Sequence, residues 1–512
     1  MGGNIVTRGA KPLASLVAGL DVVGPVDGRL ISDIVLDSRK VQPDSLYVAL
    51  PGQQQHGARF AEAAVAAGAV AVLTDAQGAA TCGEVGVPVL VSSQPRVAMA
   101  HAAVRFFDAP GRSLELFGVT GTNGKTTAVS LLAEALAASG RLSATIGTLG
   151  CRIGSEAIRS GRSTVTTPEA PDLQANLAQL RARGVQAAAI EVSSHALHFE
   201  RVRGLKFAVT GFLNLGRDHL DFHPSLDDYF DTKARLFTPE YTDAAVIWRD
   251  DPRSQQLVQR ASQSGVARIV TVGTGEADYR LLSYSANAVL GGTALIEHDG
   301  DQFELTIQLP GRYNMIDALV ALAMLETVGY ERAGILPGLA QAQVPGRMQR
   351  VELASESPLV VVDFAHTPQA ITAALSSLRQ APELIVVFGC GGDRDATKRG
   401  DMGVAAAEIA DLVIVTDDNP RFEDPAAIRA AALAGARQAA TRSARHPKVI
   451  EVAGRRAAIE QALRAASTDS VVAVLGKGHE TGQIVAGVTY DFDDVTQVKA
   501  AWSSVKEEYE AS

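Results

Sequence analysis

"LELFGVTGTNGKTTAVSLLAEAL", Leu114–Leu136, decides the fold. An apolar run, Leu114–Thr120, ends in a loop of small residues. A Lys-Thr-Thr follows, and then apolar residues recur at helical spacing. A buried strand that opens through glycines into a helix is a phosphate-binding arrangement. Glycines let backbone amides approach an anion closely. The new helix adds unpaired N–H groups and the positive end of its dipole. Lys125 brings a full charge, and a Thr hydroxyl can ligate Mg²⁺. The strict pattern places Gly five residues before the Gly-Lys pair. Here that position is Val119, with Gly118 one place earlier, so the loop is a variant. A tight strand-to-helix turn with an incidental lysine is the bland alternative, and the strand–loop–helix context argues against it.

Outward from this loop, short apolar runs alternate with Ala-rich helical patterns along most of the 512 residues. That alternation predicts an α/β protein with a mostly parallel sheet. Punctuation suggests three domains. Residues 1–110 form a small α/β block, 111–345 carry the phosphate loop, and 346–512 begin again at "PLVVVDFAH" and alternate to "VVAVLG". Lys506–Ser512 reads as a frayed tail.

Composition narrows the class. With 46% hydrophobic and 20% charged residues the chain is an ordinary globular one. A net charge of −10 argues against nucleic acid as a partner. The three cysteines, Cys82, Cys151 and Cys390, are far apart and form no Cys-x-x-Cys. A reducing cytoplasm therefore fits, and neither a zinc nor a disulfide framework is expected. The N-terminus shows no signal-peptide pattern, and no apolar run reaches the roughly 20 residues of a membrane helix, so no membrane insertion is expected.

Two further stretches carry candidate chemistry. "AAAIEVSSHAL" places Glu191 and His195 at a strand end, where both can hold a divalent cation. "NLGRDHLDFH" packs Asn214, Asp218, His219, Asp221 and His223 into one short loop. Its Asp-His-x-Asp-x-His spacing fits no common zinc pattern, and a loop that orders nucleotide and Mg²⁺ is expected instead.

In order along the chain, "GVTGTNGKTT", "TTPEA", "EVSSHAL", "NLGRDHLDFH", "YFDTKARLF", "GRYNMIDALVALA", "PGRMQRVE", "VVDFAHTPQAI", "GCGGDRD", "DDNPR" and "GKGHE" resemble the motifs of the Mur ligase family of cell-wall enzymes. The resemblance spans all three blocks. It implies a small N-terminal domain that binds a UDP-sugar, a central P-loop ATPase domain and a C-terminal Rossmann-like domain that binds an amino acid. It implies ATP-dependent amide formation with Mg²⁺. ATP phosphorylates the carboxylate of a UDP-MurNAc-dipeptide, and an amine then attacks the acyl phosphate. A monomer with only small-molecule partners is expected.

The resemblance also implies roles. Gly121, Thr122, Asn123, Gly124, Lys125, Thr126 and Thr127 cradle the triphosphate. Thr126, Glu191 and His195 hold the metal. Asn314 contacts adenine; the family's second Asn, three residues on, is here Asp317. Arg347, Asp363 and His366 meet the nucleotide. Lys233, by itself an ordinary exposed helix lysine, matches the family's carbamylated lysine, whose anionic oxygens join the metal. Leu36, Ser38 and Gln53, Gln54 and Gln55 match the uridine-nucleotide contacts. Thr166, Thr167, Ser193 and Arg201 match contacts to the muramoyl-dipeptide, with Phe199 where the family often has Gln. Arg394, Asp418, Asn419, Pro420, Arg421, Gly476 and Glu480 match the pocket for the incoming amino acid. An Arg fork binds a carboxylate and repels an ammonium. "DNPR" therefore implies meso-diaminopimelate, whose far end is zwitterionic, over L-lysine. Two rivals are weaker. A dehydrogenase fails because Arg394 stands where the dinucleotide fingerprint needs its third Gly. A folylpolyglutamate synthetase-like ligase would lack the first block and "DNPR".

Overall fold

The computed structural model describes residues 9–52, 55–158, 165–216, 218–219, 222–287, 290–353 and 357–511. Gln53, Gln54 and Asp221 lie outside them. Packing divides the chain into two compact units, residues 1–280 with 319–338, and 281–318 with 339–512.

Besides the short antiparallel pair Lys11–Pro12 and Leu30–Ile31, the first unit holds two sheets among the described residues. The strands Asp33–Val35, Ser45–Ala49, Ala69–Thr74 and Val89–Val91 pair in that order, all parallel. The helix Pro95–Phe106 packs its Ala98, Met99 and Ala102 into a core shared with Ala170 and Ala178 of the helix Ala170–Ala182. The second sheet contains the strand of the opening stretch, Glu115–Thr120. Around it the parallel strands run Ser143–Gly147, Ala187–Glu191, Glu115–Thr120, Val209–Phe212, Ala244–Trp248 and Arg268–Gly273. Strands buried on both faces are continuous apolar runs, and Ala187–Glu191 and Ala244–Trp248 are buried at every position. The chain leaves Glu115–Thr120, skips one place to Ser143–Gly147, and later fills the gap with Ala187–Glu191. Such a change of direction opens a crevice at the carboxyl ends of the strands, where α/β proteins bind ligands.

The second unit has a six-stranded sheet, in the order Gln349–Val351, Leu359–Asp363, Ser470–Leu475, Glu383–Cys390, Leu412–Asp417 and Lys448–Glu451. Only the edge strand Gln349–Val351 is antiparallel. Helices cover both faces over separate apolar cores.

Antiparallel hairpins extend the plan read from sequence. Gly150–Ile153 pairs with Glu156–Ile158, and Gly292–His298 pairs with Asp301–Ile307. The chain end is a correction. The helix Asp494–Ala511 runs through most of the stretch expected to fray, because Lys, Glu and Ala are good helix formers however polar the run. Among the described residues no helix is long and apolar enough to cross a membrane.

Candidate active site

The glycine loop sits where the apolar strand gives out. Gly124 has φ +86° and precedes the helix Lys125–Ala138, whose first turn has no side-chain cap. Its leading N–H groups therefore suit an anion. At Gly121 a Cβ would lie 3.0 Å from Leu213 Cβ and 3.2 Å from Asn123 O, so a side chain there would have to push its neighbours back by a few tenths of an ångström. Asn214 fixes that closure. Its Oδ1 accepts from Thr122 N at 3.1 Å and Asn123 N at 2.9 Å, and its Nδ2 donates to Asn123 O at 3.2 Å. Thr122 Oγ1 accepts from Gly216 N at 2.8 Å and lies 3.3 Å from the Tyr229 hydroxyl.

Two lysines converge beneath the loop. Lys125 Nζ donates to Gly121 O at 2.8 Å and Thr122 O at 2.9 Å. Lys233, on the helix Leu226–Ala234, donates to Gly121 O at 2.9 Å and lies 4.6 Å from the centroid of the Tyr229 ring. Lys233 is 1% exposed. The plain reading of it as an exposed helix lysine is overturned, because packing against Tyr229 and the loop seals it. Burial holds its amine well below the ordinary lysine range; the charge of Lys125 pushes the same way, and Asp218 opposes.

Glu191 ends its strand fully buried. Its carboxylate accepts from Thr148 N at 2.8 Å and Thr148 Oγ1 at 3.1 Å. Burial pushes its pKa up; Lys125, the Thr148 amide and the Thr126 hydroxyl pull it down. Gly147 makes the room, since a Cβ there would stand 2.1 Å from Glu191 Oε1. Thr126, Glu191, Lys125 and Lys233 are thus linked through one loop.

His195 is placed differently. Its ring stacks on Phe222 at 4.2 Å and meets His219 edge-on at 4.8 Å. His223, expected in a polar nucleotide loop, is buried instead. It bonds Ser194 Oγ at 3.0 Å and Asp228 Oδ2 at 2.7 Å, tying the end of this loop to the Ser194–His198 helix. Among the described residues, no group of three or more His, Cys, Asp or Glu forms a metal cage. The donor set still suits a hard cation. Thr126 and Glu191 offer oxygens, and a carbamate on Lys233 would add anionic ones where the bare amine offers a cation.

The residues expected to contact the muramoyl-dipeptide come together. Thr167 Oγ1 donates to Glu191 O at 2.7 Å and accepts from Ser193 N at 3.2 Å. Thr166 Oγ1 is 3.2 Å from Thr148 Oγ1. Arg201 grips Glu169 Oε1 with Nε and Nη2 at 2.9 and 2.6 Å, and donates to Thr167 O at 3.2 Å. Phe199 carries both Arg96 and Arg201 over its ring, at 4.4 and 5.5 Å. Ser38 begins a short 3₁₀ turn capped by Asp37, with Leu36 just before it. Gln55 O accepts from Gly52 N at 3.2 Å.

In the second unit, Asn314 is buried and its Nδ2 donates to Pro310 O at 2.7 Å; Asp317 is buried one turn on. Asp363 accepts from Met348 N at 2.7 Å and Ala365 N at 2.8 Å. Burial raises its pKa, against the nearby charge of Arg347. Arg347 lies over Phe364 at 4.7 Å, and exposed His366 bonds Phe364 O at 2.8 Å through Nδ1. Arg394 and Arg421 flank Gly391, where a Cβ would meet Arg421 Nη1 at 3.1 Å and Arg394 Cγ at 3.7 Å. Arg421 adopts φ +53° and donates to Gly392 O at 2.6 Å. Pro420 precedes it, Asp418 and Asn419 are buried, and Asp418 Oδ2 lies 3.5 Å from where a Cβ at Gly476 would sit. Asn419 Nδ2 donates to Glu480 Oε2 at 2.8 Å. Sequence reasoning did not single out Thr148, Tyr229, Phe364, Lys477 or His479; "GKGHE" contained the last two.

Three family models match in succession: the Mur ligase family catalytic domain over 30–107, the Mur ligase middle domain over 119–325, and the Mur ligase glutamate ligase domain over 346–478. A Corynebacterium glutamicum protein named UDP-N-acetylmuramoyl-L-alanyl-D-glutamate–2,6-diaminopimelate ligase is 43% identical, covering 93% of this chain and 92% of its own. The chain belongs to the Mur ligase family. It therefore has that family's three-domain α/β architecture. A Streptomyces avermitilis protein of the same name is 41% identical over 95% of both chains. A solved structure of a ligase with that name superposes with TM-score 0.71 at 32% identity, covering 97% of this chain and 99% of its own. Mycobacterium tuberculosis folylpolyglutamate synthase, at 20% identity and TM-score 0.59 over 81% of this chain and 95% of its own, shares the fold.

Proposed function

We propose that this Mur ligase uses ATP to join meso-2,6-diaminopimelate to UDP-N-acetylmuramoyl-L-alanyl-D-glutamate, a cytoplasmic step of peptidoglycan precursor synthesis. The observation that carries the choice of amino acid is the pair Arg394 and Arg421 around Gly391, in the same unit as the buried Asp418 and the half-buried Glu480. Two guanidinium forks suit the distal carboxylate of diaminopimelate, and the acids suit its distal ammonium. L-lysine offers only the ammonium. The names of the relatives support the same reading.

The chemistry follows from charge. A carboxylate is a poor electrophile, so the dipeptide's glutamate oxygen takes the γ-phosphoryl group and ADP leaves. The free amine of diaminopimelate then attacks the acyl carbon, the C–O bond to phosphate breaks, and the ammonium proton passes to solvent or a nearby base. The loop amides from Gly121 to Thr127 and Lys125 hold the phosphates. Thr126, Glu191, His195 and a Lys233 carbamate would hold Mg²⁺, which would supply neutralisation of the transferring group. Thr166, Thr167, Ser193 and Arg201 orient the dipeptide, and Leu36, Ser38 and Gln53–Gln55 the uridine nucleotide. Asn314, Arg347, Asp363 and His366 complete the ATP contacts. We place the domain boundaries near residues 110 and 345.

The test supplies ATP and the nucleotide-dipeptide with either amino acid, reading phosphate release and product mass. Tripeptide with diaminopimelate is expected. Preference for lysine overturns the amino-acid assignment, and no nucleotide consumption with either overturns the ligase reading.

A further inference from the structure

Lys477 is fully buried in the second unit, in the turn after the strand Ser470–Leu475. An ammonium has three N–H groups and no acceptor, and here all three are committed. Nζ donates to Asn419 Oδ1 at 3.2 Å, Glu480 Oε2 at 3.2 Å and Gly482 O at 2.6 Å. Asp418 Oδ1, a buried atom with no hydrogen-bond partner, lies 3.6 Å away.

Each acceptor belongs to a different part of one pocket. Asn419 is in "DDNPR", and its Oδ1 also accepts from Ile484 N at 3.0 Å. Gly482 opens the strand Gly482–Val485, hairpinned to Val488–Asp491. That strand reaches back to the arginine loop, where Arg421 N donates to Ile484 O at 2.9 Å and Ala486 N donates to Arg421 O at 2.6 Å. Glu480 spends Oε2 on both Lys477 and Asn419, and its side chain remains 36% exposed. One buried cation therefore sets the Asn419 loop, the Glu480 carboxylate and the hairpin that holds Arg421.

We propose that Lys477 is the positioning residue of the amino-acid pocket. It neutralises Asp418 and Glu480 and aims Glu480 and Arg421 at the two charges of a zwitterionic distal group. It contacts no substrate itself. This inference rests on the diaminopimelate reading above and adds to it the element that holds the pocket in shape.

The experiment compares wild type with Lys477→Met, and with Lys477→Gln, which keeps two of the three N–H donors but loses the charge. Each Michaelis constant and the ratio of diaminopimelate to lysine turnover are measured. Losing a charge-assisted contact is expected to raise the KM for diaminopimelate about tenfold or more and to erode the preference over lysine. The KM values for ATP and the nucleotide-dipeptide should stay within about twofold, and Lys477→Gln should fall between. In unmodified enzyme, diaminopimelate should slow amide exchange across Gly482–Val485. An unchanged KM for diaminopimelate, an equal rise for all three substrates, or no exchange change in wild type overturns the proposal. Wild type that makes no diaminopimelate product overturns the underlying reading instead.

Discussion

Lys125 and Lys233 donate to the same backbone oxygen, Gly121 O, at 2.8 and 2.9 Å. Two ammonium groups sharing one acceptor repel each other, and one of them is sealed from water. Burial favours the neutral amine at Lys233. A neutral amine is the form that adds CO₂, and the resulting carbamate replaces repulsion with attraction. Intact-protein mass spectrometry under bicarbonate is expected to show one added CO₂ on wild type and none on Lys233→Ala. That variant should lose activity by about a hundredfold or more, and bicarbonate should not restore it. Unchanged turnover would remove Lys233 from the reaction.

Glu191 and Gly147 form a matched pair. The carboxylate fills the space that any Cβ at residue 147 would take, 2.1 Å from Oε1. Gly147→Ala must displace the carboxylate, at a stability cost of about 1–3 kcal/mol. Glu191→Gln keeps the shape and removes the charge. Both should lower kcat by about a hundredfold, while only Gly147→Ala should shift the urea midpoint substantially. A fully active Gly147→Ala would show that the carboxylate's position is unimportant.

How far the sequence disclosed this arrangement differed from residue to residue. The phosphate loop was legible because close backbone approach to an anion demands small residues at fixed spacing. The central strands were legible because burial on both faces leaves unbroken apolar runs such as "AAVIW". Lys233 was not, since "LDDYFDTKA" looks the same whether its lysine faces water or Tyr229; only tertiary packing decides. Asn214 showed its polarity and loop position, but its clamp on Thr122 and Asn123 joins residues about ninety apart. The Gly150–Ile158 hairpin escaped because its short strands mix Cys151, Arg152 and Glu156 without a clean alternation.

Arg455 and Asp494 form a fully buried ion pair in the second unit, with Nε and Nη2 each 2.7 Å from the carboxylate. Removing one partner leaves the other's charge buried without its ion pair. Asp494→Asn is expected to cost about 3–5 kcal/mol by urea denaturation. Replacing both partners with apolar residues of similar volume should recover much of that loss. A single variant as stable as wild type would mean that water reaches Arg455.

Phe199 stands where the family resemblance leads one to expect a glutamine, and the structure shows what the ring does there. It lies beneath Arg96 at 4.4 Å and Arg201 at 5.5 Å, while both guanidiniums also hold Glu169. The ring thus fixes Arg201 by its face, where an amide would offer a hydrogen bond. A cation over an aromatic ring contributes about 0.5–2 kcal/mol, so Phe199→Ala should raise the KM for the nucleotide-dipeptide by roughly two- to thirtyfold. The KM values for ATP and the amino acid should not move. Phe199→Gln should recover part of the loss if a hydrogen bond can substitute for the ring. A KM unaffected by Phe199→Ala would show that Glu169 alone suffices to orient Arg201.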